Sequence, residues 1–320
     1  MSNADQAQLQ PQRVAIIGAG AIGSYYGARL AQAGHDVHFL MRRDYEAVSS
    51  GGLRVTSIAG DFTLEHPSVV RTSEEIGPVD WVICALKSTS IADAQALVAP
   101  CVGDNTRILV LMNGLGLEAR FAEWFEGAGI FGGLAFVGIN RGEPGEVHHL
   151  EAGAITIGHV SDDVEELAIA AALWEGTTVD IVSSPSLVRS RWEKLCWNIP
   201  FNGLAVAAGG IKTDAILTDP EMRETVRRVI LEVVEAGNAD IAASGGADRI
   251  DGPAMAANMI SVTDAMAGYR SSTMIDFVEG RSMEVDAIFG APLRRAQELG
   301  VETPLIAMLT GLVRALDPPA

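Results

Sequence analysis

Basic residues are scarce in this sequence of 320 residues. It contains 23 lysines and arginines against 41 aspartates and glutamates, which gives a formal net charge of −18 at pH 7. Nucleic acids and anionic membrane surfaces require a basic face on the protein, so this balance argues against both as partners. An acidic protein that binds phosphate must gather its few cations at one place, and individual lysine and arginine positions therefore become informative.

Cysteines and long apolar runs are also scarce. The three cysteines at 84, 101 and 196 lack metal-site spacing and cannot all pair, which predicts reduced thiols. No apolar run approaches the roughly 20 residues of a membrane span, and the first residues lack the features of a signal peptide. We therefore expect a cytoplasmic protein with no resident metal, in which residues 1–12 form a disordered tail.

Apolar runs and helical patterns alternate in the first half of the chain. Runs such as Val14–Ile17 and Ile108–Met112 read as buried strands, and helical spacing lies between them. This alternation is typical of a parallel sheet covered on both faces. Beyond about residue 185, long helical segments dominate. The sequence predicts an α/β protein, with an N-terminal Rossmann-type doubly wound sheet in residues 13–184 and an all-helical C-terminal domain in residues 185–320.

A glycine motif follows the first predicted strand and opens the first helix. It consists of Gly18, Ala19, Gly20, Ala21, Ile22 and Gly23. In dinucleotide-binding domains the first glycine permits a tight turn, the second admits the pyrophosphate, and the third lets helix and strand pack closely. The free amides of the helix start would then receive the phosphates. We expect all six residues to bind a dinucleotide; the alternative is a glycine-rich turn without a ligand.

The end of the second predicted strand indicates which dinucleotide is bound. NAD-binding domains carry an acid there, about 20 residues after the glycines. This chain has Arg42 and Arg43 instead, followed by Asp44. Because a guanidinium matches a 2′-phosphate, Arg42 favours NADPH as the cofactor. Asp44 could still bind a ribose hydroxyl, and two solvated arginines at a loop start are the alternative.

Two further polar residues follow predicted strands of the same sheet. Lys87 comes after an apolar run, and Asn113 ends another. Ligands of open α/β sheets bind outside the carboxyl ends of the strands, where both residues are expected. Lys87 could meet a phosphate or a carboxylate, and Asn113 could bind the nicotinamide ribose or the substrate. Each residue taken alone could equally be an ordinary loop residue.

The second half of the chain begins with a helix that carries three polar residues on one face. Lys194, Asn198 and Asn202 are spaced four residues apart, which places them within an arc of about 80°. Their neighbours are apolar, so the helix is predicted to be covered and its polar stripe must be satisfied by some partner. That partner could be a ligand or the neighbouring backbone. Pro200 is expected to kink the helix and makes Asn202 the least secure of the three.

These features together resemble the ketopantoate reductase family. The resemblance runs over about 300 residues, and its specific part is the combination of Lys87, Asn113-Gly114, the Lys194–Asn202 helix and the stretch from Ser271 to Asp286. Two departures from the family pattern are Pro200 and Gly203, the latter at a position where many members have proline.

The resemblance implies a role for each residue. Lys194 would be the general acid, and Glu284 would hydrogen-bond the substrate and help to set Lys194. The keto acid would be held by Asn113, Asn198, Asn202 and Ser272. Arg42 and Lys87 would serve the phosphate side of the cofactor and the adjacent pocket.

The function implied is NADPH-dependent reduction of a branched 2-keto acid, with 2-dehydropantoate as the best single substrate. A positioned ammonium suits this chemistry, because hydride addition to a ketone builds negative charge on oxygen. The expected partner is therefore a small-molecule 2-keto acid, and a homodimer stays open. Two alternatives also stay open: the same fold acting on another 2-oxo or hydroxy acid, and a protein that senses NADP(H) without chemistry.

Overall fold

The structure is a computed structural model that describes residues 10–266 and 268–318. The predicted terminal tail lies outside the described residues as far as residue 9. The chain divides into two compact units. The first runs up to Leu86 and includes Ser90–Met112 and Glu118–Pro185, whereas the second contains Lys87–Thr89, Asn113–Leu117 and the chain from Ser186 onward. Two short segments from the first half of the sequence therefore group with the helical unit.

The chain as far as Pro185 forms a sheet with interspersed helices. Its elements are β1 (Arg13–Ile17), α1 (Ala21–Gln32), β2 (Asp36–Leu40), α2 (Tyr45–Gly51), β3 (Leu53–Ser57), β4 (Phe62–Leu64), β5 (Ser68–Val70), β6 (Trp81–Cys84), α3 (Ile91–Val98), β7 (Arg107–Val110), α4 (Leu117–Trp124), β8 (Gly129–Arg141), β9 (Glu146–His159), α5 (Val164–Ala172) and β10 (Ile181–Ser183).

The strands lie in the order β4-β3-β9-β8-β7-β6-β1-β2-β5, and β10 pairs with β9. The run from β8 through β7, β6, β1 and β2 to β5 is parallel, as predicted. The sheet also contains two antiparallel pairs, β3–β4 and β8–β9. A tight turn, closed by the bond from the Gly142 N–H to the Glu146 carbonyl, folds β9 back on β8.

The parallel strands are buried because nearly every side chain along them is apolar. Ile16, Phe39, Ile83 and Leu109 come from four adjacent strands and are almost fully buried in one core. Strand β1 has β2 on one side and β6 on the other, although β6 comes later in the chain. This reversal of direction at β1 makes its carboxyl end the switch point at which open α/β sheets bind ligands.

The second unit is built from helices. They are α6 (Leu187–Ala207), α7 (Thr213–Thr218), α8 (Pro220–Ala243), α9 (Gly252–Asp264), α10 (Ser272–Val278), α11 (Ala291–Glu298) and α12 (Pro304–Leu316), with a π-helical turn at Asp286–Gly290. The predicted α/β class with a helical C-terminal part is confirmed. Within residues 10–266 and 268–318, no helix is long and apolar enough to cross a membrane.

Helix α6 is held in place by two tryptophans, Trp192 and Trp197. The Trp192 ring packs on Gly237 of α8, where an added Cβ would lie 2.8 Å from the Trp192 Cβ. Its indole N–H donates to Asp240 of α8 at 2.8 Å, and the Trp197 indole N–H donates to Thr263 of α9 at 2.9 Å. Two neighbouring helices therefore determine how α6 is rotated.

Candidate active site

The glycine motif connects β1 to α1 through a turn that accepts no side chain at two positions. Gly18 has φ of +97°, and a Cβ there would lie 2.6 Å from the Leu86 backbone nitrogen. A Cβ at Gly23 would collide with the Gly18 carbonyl oxygen and would lie 3.1 Å from Ile16 Cγ2. Gly18 is thus required by the turn, and Gly23 is required by the packing of α1 against β1.

Gly20 differs from these two glycines because a Cβ there would meet nothing within 4 Å. It caps α1 in an extended conformation, no side chain bonds the helix start, and the first turn carries no acidic residue. The amides of Ala21, Ile22 and Gly23 therefore keep the donors and the positive end of the helix dipole that attract an anion. This open cradle fits the pyrophosphate of a dinucleotide, and Ala19 lies within the same turn.

The residues after β2 carry the positive charge expected for a phosphate. Arg42 and Arg43 are exposed, and among the described residues Arg42 makes no ion pair. Asp44 does not remain available in the same way, because its carboxylate accepts from the Arg141 guanidinium and its side chain is mostly covered. The role of Asp44 at a ribose hydroxyl stays a prediction, and a hydroxyl there would share the carboxylate with Arg141.

The polar face predicted on α6 is buried in the second unit. The residues Lys194, Asn198 and Asn202 are 8%, 6% and 1% exposed. The helix continues through Pro200 to Ala207, so the expected disturbance of the last turn does not break it. All three side chains consequently lie on one continuous helix, and burying a polar face of this kind is costly unless the groups meet a partner.

Lys194 has the electrostatic properties of an acid catalyst near neutral pH. The pKa of its ammonium group is lowered to about 7, chiefly because burial removes hydration from the charged form. The positive charge of Arg191, one turn earlier on α6, contributes to this lowering, and the negative charge of Glu284 opposes it. The group can therefore hold and release a proton within the physiological range.

Two buried polar side chains near the ends of α6 and α10 have no partner among the described residues. Both amide atoms of Asn202 lack a hydrogen bond, and so does the Ser271 hydroxyl. Ser271 occupies the N-cap of α10 but does not bond the helix start. The predicted residue Ser272 is exposed, so the buried hydroxyl of this pair belongs to Ser271. Such atoms retain hydrogen-bonding capacity for a small polar ligand.

Glu284 lies at the centre of a set of donors within the second unit. Its Oε1 accepts from both the backbone N–H of Ser88, at 2.8 Å, and the Ser88 hydroxyl, at 3.0 Å. Its Oε2 accepts from the Asn113 amide at 3.4 Å. The structure thus brings together the predicted residues Glu284 and Asn113 and adds Ser88. Sequence reasoning missed Ser88, whose only signal was its position directly after Lys87.

Asn113 is placed beside Glu284 by a close backbone approach. Gly114 has φ of +112°, and a Cβ there would lie 2.6 Å from the Ala287 carbonyl oxygen. That carbonyl accepts from the N–H of Leu115 at 3.0 Å. Ala287 lies in the π-helical turn that follows Glu284, and wide turns of this type are frequent at functional sites. Glycine is therefore required immediately after Asn113.

Lys87 is engaged by a carboxylate that the sequence analysis did not identify. Its ammonium nitrogen lies 2.5 Å from each oxygen of Asp276, which also accepts from Arg281 Nε at 2.9 Å. Asp276 is almost fully buried, whereas the Lys87 side chain is 48% exposed. An anionic ligand that approaches Lys87 therefore meets a cation whose charge is already shared with Asp276.

The second unit contains a group suited to proton donation, Lys194, together with hydrogen-bond donors and acceptors. A buried lysine, a carboxylate held by three donors and unpaired amide and hydroxyl groups suit a carbonyl compound that gains negative charge on oxygen. Metal chemistry has a different requirement, and no group of three or more His, Cys, Asp or Glu side chains among the residues described could hold a metal ion.

Comparisons with known proteins agree with the resemblance seen in the sequence. Residues 14–162 match the family model described as ketopantoate reductase PanE/ApbA, and residues 186–317 match the model of its C-terminal part. A 2-dehydropantoate 2-reductase of a Nostoc species is 38% identical over 317 residues, covering 97% of this chain and 96% of that protein.

Solved structures give the same result. A 2-dehydropantoate 2-reductase from Geobacter metallireducens is 45% identical with a TM-score of 0.90, covering 95% of this chain and 99% of that one. D-mandelate dehydrogenase with NADH and anilino(oxo)acetate has a TM-score of 0.83 at 23% identity, covering 95% of this chain and 97% of that one, which shows a shared fold alone. The resemblance predicted from the residues is confirmed, and this chain belongs to the ketopantoate reductase family.

Proposed function

We propose that this chain catalyses the NADPH-dependent reduction of 2-dehydropantoate to (R)-pantoate, a reaction of pantothenate biosynthesis. The observation that carries the proposal is the buried Lys194, whose pKa is lowered to about 7 and whose helix face also presents Asn198 and Asn202. Membership of the family supports the substrate, since the Nostoc and Geobacter relatives, which match nearly the whole chain, are named 2-dehydropantoate 2-reductases.

The cofactor residues proposed are those of the glycine motif together with Arg42, Lys87 and Asn113. The open position at Gly20 and the uncapped start of α1 would receive the pyrophosphate. Arg42, exposed after β2, would pair with the 2′-phosphate and so favour NADPH over NADH. When bound, the dihydronicotinamide supplies the hydride that adds to the substrate carbonyl carbon.

The proton would come from Lys194. As the carbonyl oxygen gains negative charge, the ammonium stabilises that charge and then transfers a proton from Nζ to the oxygen, which yields the hydroxyl group of the product. The lysine is left neutral and takes up a proton from solvent before the next cycle. A pKa of about 7 suits both halves of this cycle, because neither protonation state is strongly disfavoured.

The remaining polar residues would hold the keto acid. Asn198, Asn202 and Asn113 offer amides that can bond its carboxylate and hydroxyl oxygens, and Ser272 is carried over from the family pattern. Glu284 would accept a hydrogen bond from a substrate hydroxyl and would act on Lys194 through its negative charge. The unpaired amide of Asn202 supports this role, since its hydrogen bonds are not consumed by the protein.

The test is turnover with purified protein, measured as loss of NADPH absorbance when 2-dehydropantoate is added. Lys194→Ala should lower kcat about 10²–10⁴-fold and leave the Kd for NADPH nearly unchanged. Lys212→Ala, which removes an exposed lysine, is the matched control. If the Lys194→Ala variant retains most of its turnover at saturating substrate, Lys194 is not the acid.

The same assay separates the alternatives. A panel of 2-oxo acids, and of hydroxy acids with NADP⁺, identifies a different substrate if 2-dehydropantoate is turned over poorly. A protein that only senses NADP(H) would bind the cofactor and turn over none of them. Sedimentation of the purified chain tests whether it forms the homodimer left open by the sequence.

A further inference from the structure

We propose that Ser88 is a positioning residue of the active site: its hydroxyl and its backbone N–H together hold the Glu284 carboxylate where it acts on Lys194. The inference rests on the proposed function, which assigns the proton transfer to Lys194. It adds a residue to which neither the sequence pattern nor the family resemblance gave a role.

The geometry at Glu284 is unequal between its two oxygens. Oε1 accepts from two donors of the single residue Ser88, at 2.8 and 3.0 Å, whereas the bond from Asn113 to Oε2 is longer, at 3.4 Å. All three side chains lie in the second unit, and Glu284 and Ser88 are buried there. Ser88 therefore fixes one oxygen of this carboxylate through two separate donors.

The segment around Ser88 is held in place by contacts of Lys87 and of Ser88 itself. Ser88 follows Lys87, whose ammonium is bound to the buried Asp276, and it begins a short helical turn over Ser88–Ser90. Adjacent residues of one segment thus bind two different carboxylates, one on α10 and one after it. A segment anchored at two points holds the Ser88 hydroxyl more rigidly than a single contact would.

Ser88 can affect catalysis only through the charge that it holds. The pKa of Lys194 is lowered by the charge of Arg191 from the same helix and raised by the charge of Glu284. A hydrogen bond to a carboxylate favours its charged form and fixes its distance from neighbouring groups. Losing the hydroxyl weakens the influence of Glu284, and the opposing effects of burial and Arg191 then prevail.

The test compares Ser88→Ala, Ser88→Thr and Ser90→Ala. The alanine variant removes the hydroxyl and leaves the N–H bond, and the threonine variant keeps both donors. Ser90→Ala removes a hydroxyl from the same turn for which the structure shows no side-chain cap bond. The chain has only three lysines, at 87, 194 and 212, so the Lys194 ammonium can be followed directly by NMR of lysine labelled with ¹³C.

We expect the titration midpoint of Lys194 to fall by about 0.5 to 1 pH unit in Ser88→Ala and to stay unchanged in the other two variants. Turnover above the midpoint should fall about three- to tenfold in Ser88→Ala, because less of the ammonium form remains. The Kd for NADPH should stay within about twofold of the wild-type value, since the hydroxyl has no proposed contact with the cofactor.

An unchanged Lys194 midpoint in a folded Ser88→Ala protein would overturn the inference, even if turnover falls. If that variant does not fold, Ser88→Cys replaces it, because a thiol fills the same space and is only a weak donor. The NMR titration needs no turnover, so it remains decisive if wild-type protein fails to reduce 2-dehydropantoate, a result that would contradict the proposed function alone.

Discussion

The Lys87 ammonium lies 2.5 Å from both carboxylate oxygens of Asp276, so a half-exposed cation is bound by an almost fully buried anion. Arg281 donates to the same carboxylate at 2.9 Å. Asp276 therefore has two positive partners, and removing its charge would take this partner from Lys87 and leave Arg281 with Glu279.

Asp276→Asn should lower the free energy of unfolding by about 1–3 kcal/mol, because a buried acceptor loses charge-assisted bonds. The control is Glu279→Gln, since Glu279 also pairs with Arg281 but its side chain is 47% exposed. An exposed pair contributes little, and that variant should stay within about 0.5 kcal/mol of wild type. Urea unfolding measures both, and equal losses would show that burial does not decide the strength of these pairs.

Gly20→Ala and Gly23→Ala separate cofactor binding from folding. At Gly20 an added Cβ meets nothing, so the variant should fold with wild-type stability but bind NADPH at least about tenfold more weakly, because the methyl group faces the proposed phosphates. At Gly23 the Cβ would collide with the Gly18 carbonyl, and we expect a loss of stability of roughly 1–3 kcal/mol. Thermal melting and fluorescence titration measure the two effects. Wild-type affinity in Gly20→Ala would show that the cradle does not hold the cofactor.

Arg42→Ala should raise the KM for NADPH about ten- to hundredfold and leave use of NADH nearly unchanged, because only NADPH carries the 2′-phosphate that a guanidinium binds. Arg43→Ala, at the adjacent exposed position, should have a smaller effect. Steady-state kinetics with both cofactors provide the measurement. Equal losses for both, or an initial preference for NADH, would remove Arg42 from the proposed site.

The pH dependence follows from the lowered pKa of Lys194, about 7 in the folded protein against 10.5 for an ordinary lysine. Turnover should decline as pH rises through about 7, since the ammonium donor is lost. The free energy of unfolding, in contrast, should increase as pH rises through this range. Between these two pKa values the unfolded chain holds a proton that the folded protein has released, so unfolding becomes less favourable as pH rises.

Lys194→Met lacks this titration, so its stability relative to wild type should be greatest at acidic pH and should decline across that window. The decline is at most about 1.4 kcal/mol per pH unit. Urea unfolding of both proteins at several pH values measures the difference. A difference that does not vary with pH would mean that the pKa of Lys194 is not lowered by folding.

Asn202→Leu and Asn238→Leu replace two buried amides that differ in their partners. Both amide atoms of Asn202 are unpaired, whereas Asn238 bonds the backbone N–H and carbonyl of Ile250 at 2.7 and 3.0 Å. Asn202→Leu should therefore keep or raise stability while raising the KM for the keto acid, and Asn238→Leu should cost about 2–4 kcal/mol. If both variants lose the same stability, Asn202 has a structural partner and is not reserved for substrate.

Much of the first unit could be predicted because its signals are local. The strands at Val14 and Ile108 are uninterrupted apolar runs, and the glycines at 18 and 23 are demanded by contacts within a few residues or with the neighbouring strand. The pairing of β8 with β9 was not predictable in the same way. Apolar runs can mark the two strands, but the direction of their pairing depends on how the four residues between Arg141 and Glu146 turn.

The site was only partly predictable for the same reason. Regular spacing on one helix identifies Lys194, Asn198 and Asn202 from the sequence alone. Asp276 and Ser88 do not, because each depends on a partner 189 or 196 residues away in sequence. The choice between Ser271 and Ser272 depends on how α10 begins, since one hydroxyl is buried and its neighbour is exposed. Adjacent serines are indistinguishable until the helix is placed.

The wide turn at Asp286–Gly290 has a consequence for how this chain tolerates insertions and deletions. A π-helical turn holds one residue more than a regular helix would over the same length. Five residues after Ala287 comes Pro292, which has no N–H to donate, and the Ala287 carbonyl accepts from the Leu115 N–H at 3.0 Å. Deleting one residue from this turn would give a more regular helix but would remove the bond between Leu115 and Ala287 that helps to position Asn113. Length at this point is thus as constrained as residue identity.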